Sequence, residues 1–218
     1  MKLLLGLFFI LLTGCASVNT ANKPANTAQP TAAIEKPVIP TEAEQHLANI
    51  ANIENFKING RMGVQVEGYG ASGAIQWQHI QDHDEIGLFS PLGNKIAYIV
   101  KTPEGVTLTT QEGKVLKAQD AESLTEQTLG WRLPFSNLTD WIVGRPAKGL
   151  VTNAAWDEQG KLSKLTQNGW EVSYMQYREE NQYALPSKIN LRNPKMNMRL
   201  IVENWDTNPQ SDISALAP

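Results

Sequence analysis

Apolar and polar positions alternate along much of the chain between residues 56 and 205. Phe56, Ile58 and Val64 have polar neighbours, which is the period of two expected of a strand with one buried face. Similar segments predict ten more strands, at 74–78, 84–89, 96–100, 106–108, 115–116, 152–156, 161–167, 170–177, 187–191 and 198–205. Because short turns such as Asn168-Gly169 separate them, we predict an antiparallel meander.

Three segments have helical spacing instead, at 42–53, 120–130 and 138–143. The first follows a capping box, with Thr41 as the N-cap and Glu44 three residues later. The third has an apolar face formed by Leu138, Trp141 and Ile142. This face either plugs the open side of the sheet or forms a lid over a cavity.

The turn between the third and fourth predicted strands has an unusual composition. Pro91 presets φ and Gly93 can take a positive φ, so Ser90–Asn94 reads as a tight turn. Turn tips usually carry small polar residues because they face water, but this tip carries Leu92. Leu92 either folds back onto the rim of the sheet or acts as an apolar finger that touches a membrane or a lipid.

Composition limits the class of protein. The chain has 218 residues, enough for one domain with a core, and its formal net charge of -3 argues against a nucleic-acid partner. A single Cys excludes an internal disulfide and a cluster of Cys metal ligands. Six Trp indicate large apolar surfaces with polar edges.

The first residues predict the compartment. After the basic start comes the apolar run Leu3–Leu12, which is too short to span a bilayer and is typical of a secretory signal. Leu12-Thr13-Gly14-Cys15 resembles the bacterial lipobox. We therefore predict a signal peptide at 1–14 and a Cys15 that carries S-diacylglycerol and N-palmitoyl groups. Ala16, where an Asp would favour the inner membrane, points to the outer membrane.

The segments on either side of the main domain are poor in bulky apolar residues. Residues 15–40 contain the lipidated Cys and a tether rich in Ala, Asn, Thr and Pro, which cannot bury a core. Residues 207–218 are predicted to be a disordered tail. Three acyl chains would exceed the two anchoring signals that stable membrane attachment needs.

Two further motifs do not support a catalytic or metal site. Gly68–Gly73 has the spacing of a dinucleotide-binding motif, but an alternating strand follows it, so a hairpin explains it better. His79 and His83 have the spacing of metal ligands on a helix, yet 81–84 looks like a polar hairpin loop. A hydrolase would need paired carboxylates or a nucleophile with a base; the pairs available, Asp82/Asp84 and Glu179/Glu180, have turn-like contexts.

Several short motifs follow one another in a fixed order over about residues 45–206. They are Gly60-Arg61, Ile75-Gln76-Trp77, Ser90-Pro91-Leu92-Gly93, Leu133-Pro134, Leu138, Trp141, Gly144, Gln167-Asn168-Gly169-Trp170, Tyr174, Leu185-Pro186 and the segment 200–205. This ordered set, together with the lipobox, resembles the LolB family of outer-membrane lipoprotein receptors.

The resemblance implies a mainly β fold with α, in which residues 41–206 form a curved antiparallel sheet. This unclosed half β-barrel packs over a few helices and encloses a hydrophobic cavity. The family takes acylated lipoprotein cargo from the soluble periplasmic carrier LolA and inserts it into the outer membrane from the periplasmic side, without nucleotide, metal or enzymatic chemistry. The resemblance also implies that Pro91, Leu92 and Gly93 form a membrane-insertion loop.

A receptor of this kind needs an apolar concave site. Candidate lining residues are Ile75, Trp77, Leu88, Tyr98, Leu108, Trp141, Leu200 and Val202. Each is more often ordinary core than cavity wall, because the sequence does not distinguish a filled barrel from a hollow one. We expect no cofactor besides the acyl groups on Cys15. The expected partners are LolA, cargo and outer-membrane phospholipid, with no nucleic acid, and the protein is expected to be a monomer. The alternative is a lipid-anchored scaffold of envelope assembly, which predicts a filled core.

Overall fold

A computed structural model of the protein describes residues 38–66, 68–129 and 135–209. The predicted signal peptide, Cys15, most of the tether, Leu133-Pro134 and the tail from residue 210 onwards lie outside the described residues. Among the helices within these three ranges, none is long and apolar enough to cross a membrane.

The described residues form eleven strands and three helices, as the sequence pattern predicted. The helices are α1 (Thr41–Ile50), α2 (Ala121–Leu129) and α3 (Phe135–Val143). The strands are β1 (Phe56–Val66), β2 (Tyr69–Ile80), β3 (His83–Phe89), β4 (Lys95–Thr102), β5 (Gly105–Thr110), β6 (Val115–Ala118), β7 (Val151–Trp156), β8 (Leu162–Gln167), β9 (Trp170–Glu180), β10 (Tyr183–Asn193) and β11 (Met196–Asp206).

All eleven strands belong to one antiparallel sheet with the order β6-β5-β4-β3-β2-β1-β11-β10-β9-β8-β7. Its centre is the pairing of β1 with β11, where Met62 lies opposite Leu200. The chain builds one half of the sheet from β1 to β6, passes through α2 and α3, and builds the other half from β7 to β11. Strands β6 and β7 are the two edges, so the curved sheet is unclosed. The predicted half-barrel fold class is confirmed.

Strand alternation directs one face of the sheet onto the helices. Phe56 and Ile58 of β1 are buried, whereas Lys57 and Asn59 between them are only partly covered. Helix α3 begins at Phe135, three residues before its predicted start. The Phe135 ring is buried and lies 5.4 Å from that of Trp77. The predicted apolar face of Leu138, Trp141 and Ile142 is buried as expected.

Helix α1 differs from its prediction in two respects. Thr41 lies inside the helix, the N-cap is Pro40, and no side chain caps this end, so the capping-box prediction is wrong. The helix ends at Ile50, where Arg145 Nη1 donates to the Ile50 carbonyl oxygen at 3.0 Å. Since Arg145 Nε also donates to Asp140 Oδ1 in α3 at 2.7 Å, this side chain joins the end of α1 to α3.

Gly60 lies at an apolar position of β1 for a steric reason. A Cβ added there would overlap the backbone oxygen of Ile201 on the neighbouring strand. The β1–β11 register shifts between Asn59 and Gly60 at this point. The close approach of the two backbones therefore requires glycine, which the pattern of the sequence did not reveal.

Candidate functional site

An apolar cavity of about 350 Å³ lies between the inner face of the sheet and helices α2 and α3. Six of the predicted lining residues contribute to its wall: Ile75, Trp77, Leu88, Leu108, Trp141 and Leu200. No charged side chain lines it within the described part of the chain, and the polar lining groups are Thr110, Thr125 and Thr128. Hydroxyls of two of these threonines donate to helix carbonyls, Thr125 to Glu122 and Thr128 to Leu124. The cavity wall therefore offers almost no polar competition to a hydrocarbon chain.

Sequence reasoning missed most of the wall. The additional strand residues are Met62, Val64, Ile86, Ile99, Leu116, Ile189, Leu191, Met196 and Met198, and the additional helix residues are Ala121, Leu124, Phe135, Leu138 and Ile142. The signal that could have found them is strand parity, because Met62 and Val64 share the buried face of Ile58 in β1. The helix residues follow from the apolar faces of α2 and α3.

Two predicted lining residues lie elsewhere. Tyr98 has the opposite parity to the lining residue Ile99, and its hydroxyl donates to Glu85 Oε2 at 2.8 Å. Burial and this hydrogen bond to a carboxylate raise the pKa of Tyr98. Val202 has the parity of Leu200 but lies beyond the cavity, with 1% of its surface exposed. Both lining predictions were wrong, the first because of parity and the second because that end of the sheet is filled.

Aromatic side chains fill that end. The Phe56 ring lies 5.3 Å from Trp77, 5.7 Å from Trp205 and 5.2 Å from His79. Of these rings, Trp77 lines the cavity, and the other three fill the space beyond it. The open volume is therefore restricted to the half of the sheet that carries the turn with Leu92.

A buried charged cluster fixes Trp77 in the wall. Asp84 is fully buried; its Oδ1 accepts from Trp77 Nε1 at 2.8 Å and lies 2.7 Å from His79 Nδ1, and its Oδ2 accepts from Lys101 Nζ at 2.9 Å. Burial works to raise the pKa of Asp84, but its hydrogen bonds and the charges of His79 and Lys101 outweigh burial and lower it. Asp84 is therefore an ionised anchor for the indole. It lies in β3, as the predicted strand at 84–89 requires, and not in the polar hairpin loop suggested for 81–84.

A second buried group fixes Trp141 on the helical side. Gln167 is fully buried; its Oε1 accepts from Trp141 Nε1 at 2.9 Å and from the Ala147 amide at 3.0 Å. Its Nε2 donates to the Ala147 carbonyl at 2.8 Å. The Tyr174 hydroxyl donates to the Trp141 carbonyl at 2.9 Å. Helix α3 is therefore attached to β8 and β9 through hydrogen bonds as well as through apolar contact.

The turn between β3 and β4 holds Leu92 away from the sheet. The Gly93 amide donates to the Ser90 carbonyl at 2.9 Å, and the Ser90 amide donates to the Asn94 carbonyl at 2.8 Å. Gly93 has a φ of 85°, as its position in the turn required. Leu92 is 89% exposed. A Leu side chain in water at the tip of an ordered turn gains nothing from folding and is available for contact with an apolar surface.

The rejected motifs occupy ordinary places in the sheet. Gly68 to Gly73 lie in the β1–β2 hairpin, as predicted. His83 lies 3.1 Å from Glu85 Oε1, which explains its polar position without a metal. No cluster of three or more His, Cys, Asp and Glu suited to a metal ion occurs among the residues that the structure describes.

Comparison with known proteins gives consistent matches. A family described as "Outer membrane lipoprotein LolB" matches residues 54–205. A protein named "Outer-membrane lipoprotein LolB" from Nitrosomonas europaea is 35% identical over 204 residues, covering 93% of this chain and 91% of its own. Its namesake from Pseudomonas syringae pv. syringae is 31% identical over 195 residues, covering 89% and 90%. The crystal structure of a LolA superfamily protein from Nitrosomonas europaea shares the fold, with a TM-score of 0.51 and 8% identity over 78% of this chain and 96% of that one.

Proposed function

Because the chain belongs to the LolB family of outer-membrane lipoproteins, we propose that it receives acylated lipoproteins from the soluble carrier LolA and passes them to the outer membrane. The observation that carries this proposal is the apolar cavity under an unclosed sheet. The alternative of a scaffold protein predicts a filled interior, and the cavity favours the receptor over it.

The physical problem that such a receptor solves is the exposure of hydrocarbon to water. A triacylated lipoprotein exposes some forty methylene groups, and at ~0.8 kcal/mol each they disfavour the aqueous state by roughly 30 kcal/mol. A dry concave site removes part of this surface from water during transfer. Carrier and receptor both offer such sites in this proposal. A difference of ~1.4 kcal/mol between their binding free energies for the cargo shifts its distribution between them tenfold, so no nucleotide is needed.

In this proposal each part of the site has a separate role. The cavity wall, held by Trp77 on Asp84 and by Trp141 on Gln167, shelters acyl chains. Leu92 enters the acyl region of the bilayer and lowers the barrier to release, while Pro91 and Gly93 hold the turn in shape. Cys15, which lies outside the described residues, carries the lipids that anchor the receptor. No side chain has a catalytic role in this scheme.

The test is transfer of cargo from loaded carrier to vesicles by the full chain, without nucleotide. We expect Leu92→Glu to fold normally, because the side chain it replaces is 89% exposed, and to accept cargo but not deliver it. Met175→Glu is the matched control, since Met175 is 55% exposed on β9 and lies away from the turn. Delivery by Leu92→Glu at the parental rate would refute the role of the loop, and failure of the parental protein to accept cargo would refute the function.

A further inference from the structure

The strand register brings five turns to one end of the sheet; one of them, the β8–β9 turn, lies beside the β10–β11 turn because Glu171 pairs with Arg192. Val66 at the end of β1 pairs with Tyr69 and with Met196, so the β1–β2 and β10–β11 turns are neighbours. The β3–β4 turn follows on the other side of β2, since Phe89 pairs with Ala74, and the β5–β6 turn follows that. We call this end of the sheet the tip end; its described residues are 66, 68–69, 90–96, 110–115, 168–169 and 193–196.

Exposed apolar surface is concentrated at the tip end. Within the described residues, eight large apolar side chains are exposed. Tyr69, Leu92, Ile96 and Val115 lie at the tip end, and Leu150 precedes β7 at the same end by register. Tyr69 is 84% exposed, almost as much as Leu92. A concentration of this kind marks a contact surface rather than scattered surface residues.

The first hairpin leaves Tyr69 84% exposed. Gly68 before it has a φ of 87°, which is the left-handed conformation that favours glycine in a tight turn. Gly70 follows Tyr69. A phenol has an apolar ring and a polar hydroxyl, which is the combination favoured at the level of lipid headgroups.

Charge distinguishes the two ends of the sheet. Lys114 and Lys195 are exposed in tip-end turns. Among the residues of these turns that the structure describes, Glu112 is the acidic one. The turns at the opposite end carry exposed acidic side chains instead, at Asp82, Glu104 and Glu158. Since phospholipid surfaces that contain anionic lipids attract Lys and repel carboxylates, this asymmetry favours one orientation on a bilayer.

The open part of the cavity lies on the tip-end side. Met196 and Met198 line it from β11, while the packed rings of Phe56 and Trp205 fill the other end. A bilayer against the tip end would therefore lie next to the open half of the cavity. A protein partner docked there would also meet apolar side chains, but the combination of lysines, a tyrosine and a leucine at a turn tip fits a lipid surface better.

We infer that Tyr69 is a second bilayer contact beside Leu92, and that Lys114 and Lys195 meet anionic headgroups, so that the tip end lies on the membrane through several neighbouring turns. This inference rests on the proposed function and adds the surface on which release occurs. A single inserted residue fixes how deeply the turn enters the bilayer but leaves the domain free to tilt about it. Two neighbouring contacts with flanking lysines fix both the depth and the orientation of the domain on the membrane. The acidic end then faces the periplasm.

The first experiment measures membrane contact directly in the full, lipid-anchored chain. Cys15 is the only cysteine and its thiol would be consumed by the anchor, so Tyr69→Cys, Leu92→Cys and Met175→Cys can each carry one NBD label. In vesicles of phosphatidylethanolamine and phosphatidylglycerol, we expect spin-labelled lipid to quench the label at position 69 comparably to that at 92, and the label at 175 little. Quenching at 92 with none at 69 would overturn the inference while leaving the proposed function intact.

The second experiment separates membrane contact from other roles of the same residues. We expect Tyr69→Ser to slow cargo release to vesicles about fivefold and Tyr69→Trp to restore it, because Trp also favours the interface. Uptake from the carrier should be unchanged; a loss of uptake with normal release would identify a protein-docking surface and overturn the inference.

The lysines are tested by their dependence on lipid charge. We expect the double variant Lys114→Gln/Lys195→Gln to slow release on anionic vesicles about fivefold or more, and to have no effect on vesicles of phosphatidylcholine alone. Lys57→Gln, at the opposite end of β1, is the control. Equal losses on both kinds of vesicle, or an equal loss in Lys57→Gln, would remove the lysines from the contact.

Discussion

The buried amide of Gln167 offers a quantitative test of how α3 is held over the cavity. Gln167 is fully buried and makes three hydrogen bonds of 2.8–3.0 Å, to Trp141 Nε1 and to both backbone groups of Ala147. In Gln167→Leu all three partners lose their bond and stay buried. A buried polar group without a partner costs about 1–3 kcal/mol, and relaxation of the Ala147 loop offsets part of the sum.

We therefore expect Gln167→Leu to lower the free energy of unfolding by about 3–5 kcal/mol, a large part of the total for a domain of this size. The assay is urea unfolding at 25 °C, read as a lower midpoint at constant slope. Gln176→Leu is the matched control, because Gln176 is exposed on β9 and should change little. A loss below about 1 kcal/mol in Gln167→Leu would show that packing alone holds Trp141 and would refute this reasoning.

Three further predictions address the cavity, the backbone and the charged anchor. Thr128→Glu places a charge at an exposed position of the cavity rim, so uptake of cargo should fall while the free energy of unfolding stays the same. Gln127→Glu is the control, because Gln127 is exposed on the same helix but does not line the cavity, and this variant should take up cargo normally. Gly60→Ala should destabilise the domain by more than about 2 kcal/mol in urea unfolding because its Cβ meets the neighbouring backbone, and Gly63→Ala, which meets nothing within 4 Å, should not. The pKa of Asp84 is lowered from its ordinary 3.8, so its ionised form stabilises the fold above that pH and this contribution is lost as the pH falls through the folded pKa. Asp84→Asn should therefore be less stable at pH 7 and show a shallower loss of stability below about pH 4, as measured by acid titration of the circular dichroism signal.

The strands could be predicted because each has one buried face. A period of two needs only local sequence, and β1 shows it over eleven residues. The same rule failed at β4, where Tyr98 and Ile99 are both bulky and apolar and the sequence does not say which of them faces inward. Ile99 does, since Tyr98 needs an acceptor for its hydroxyl and finds Glu85 on the other face.

The anchors could not be predicted because their partners are distant in the chain. Lys101 lies 17 residues from Asp84, and Gln167 lies 26 residues from Trp141. From the sequence alone, the carboxylate that follows His83 is interpreted as part of a solvated loop, because only the folded sheet brings Trp77, His79 and Lys101 to it. The cavity itself depends on the spacing between sheet and helices, and an apolar strand face looks the same in sequence whether it is filled or hollow.

The position of the helices in the strand order has a mechanical consequence. Strands β6 and β7 are consecutive along the chain yet form opposite margins of the sheet, and α2 and α3 are the covalent bridge from one margin to the other. Spreading the margins to admit a bulkier occupant would therefore change the distance that α2, α3 and their connections span, whereas the β1–β11 pairing lies at the centre of the sheet, away from both margins. The width of the opening between β6 and β7 is in this way coupled through the chain to the placement of the two helices.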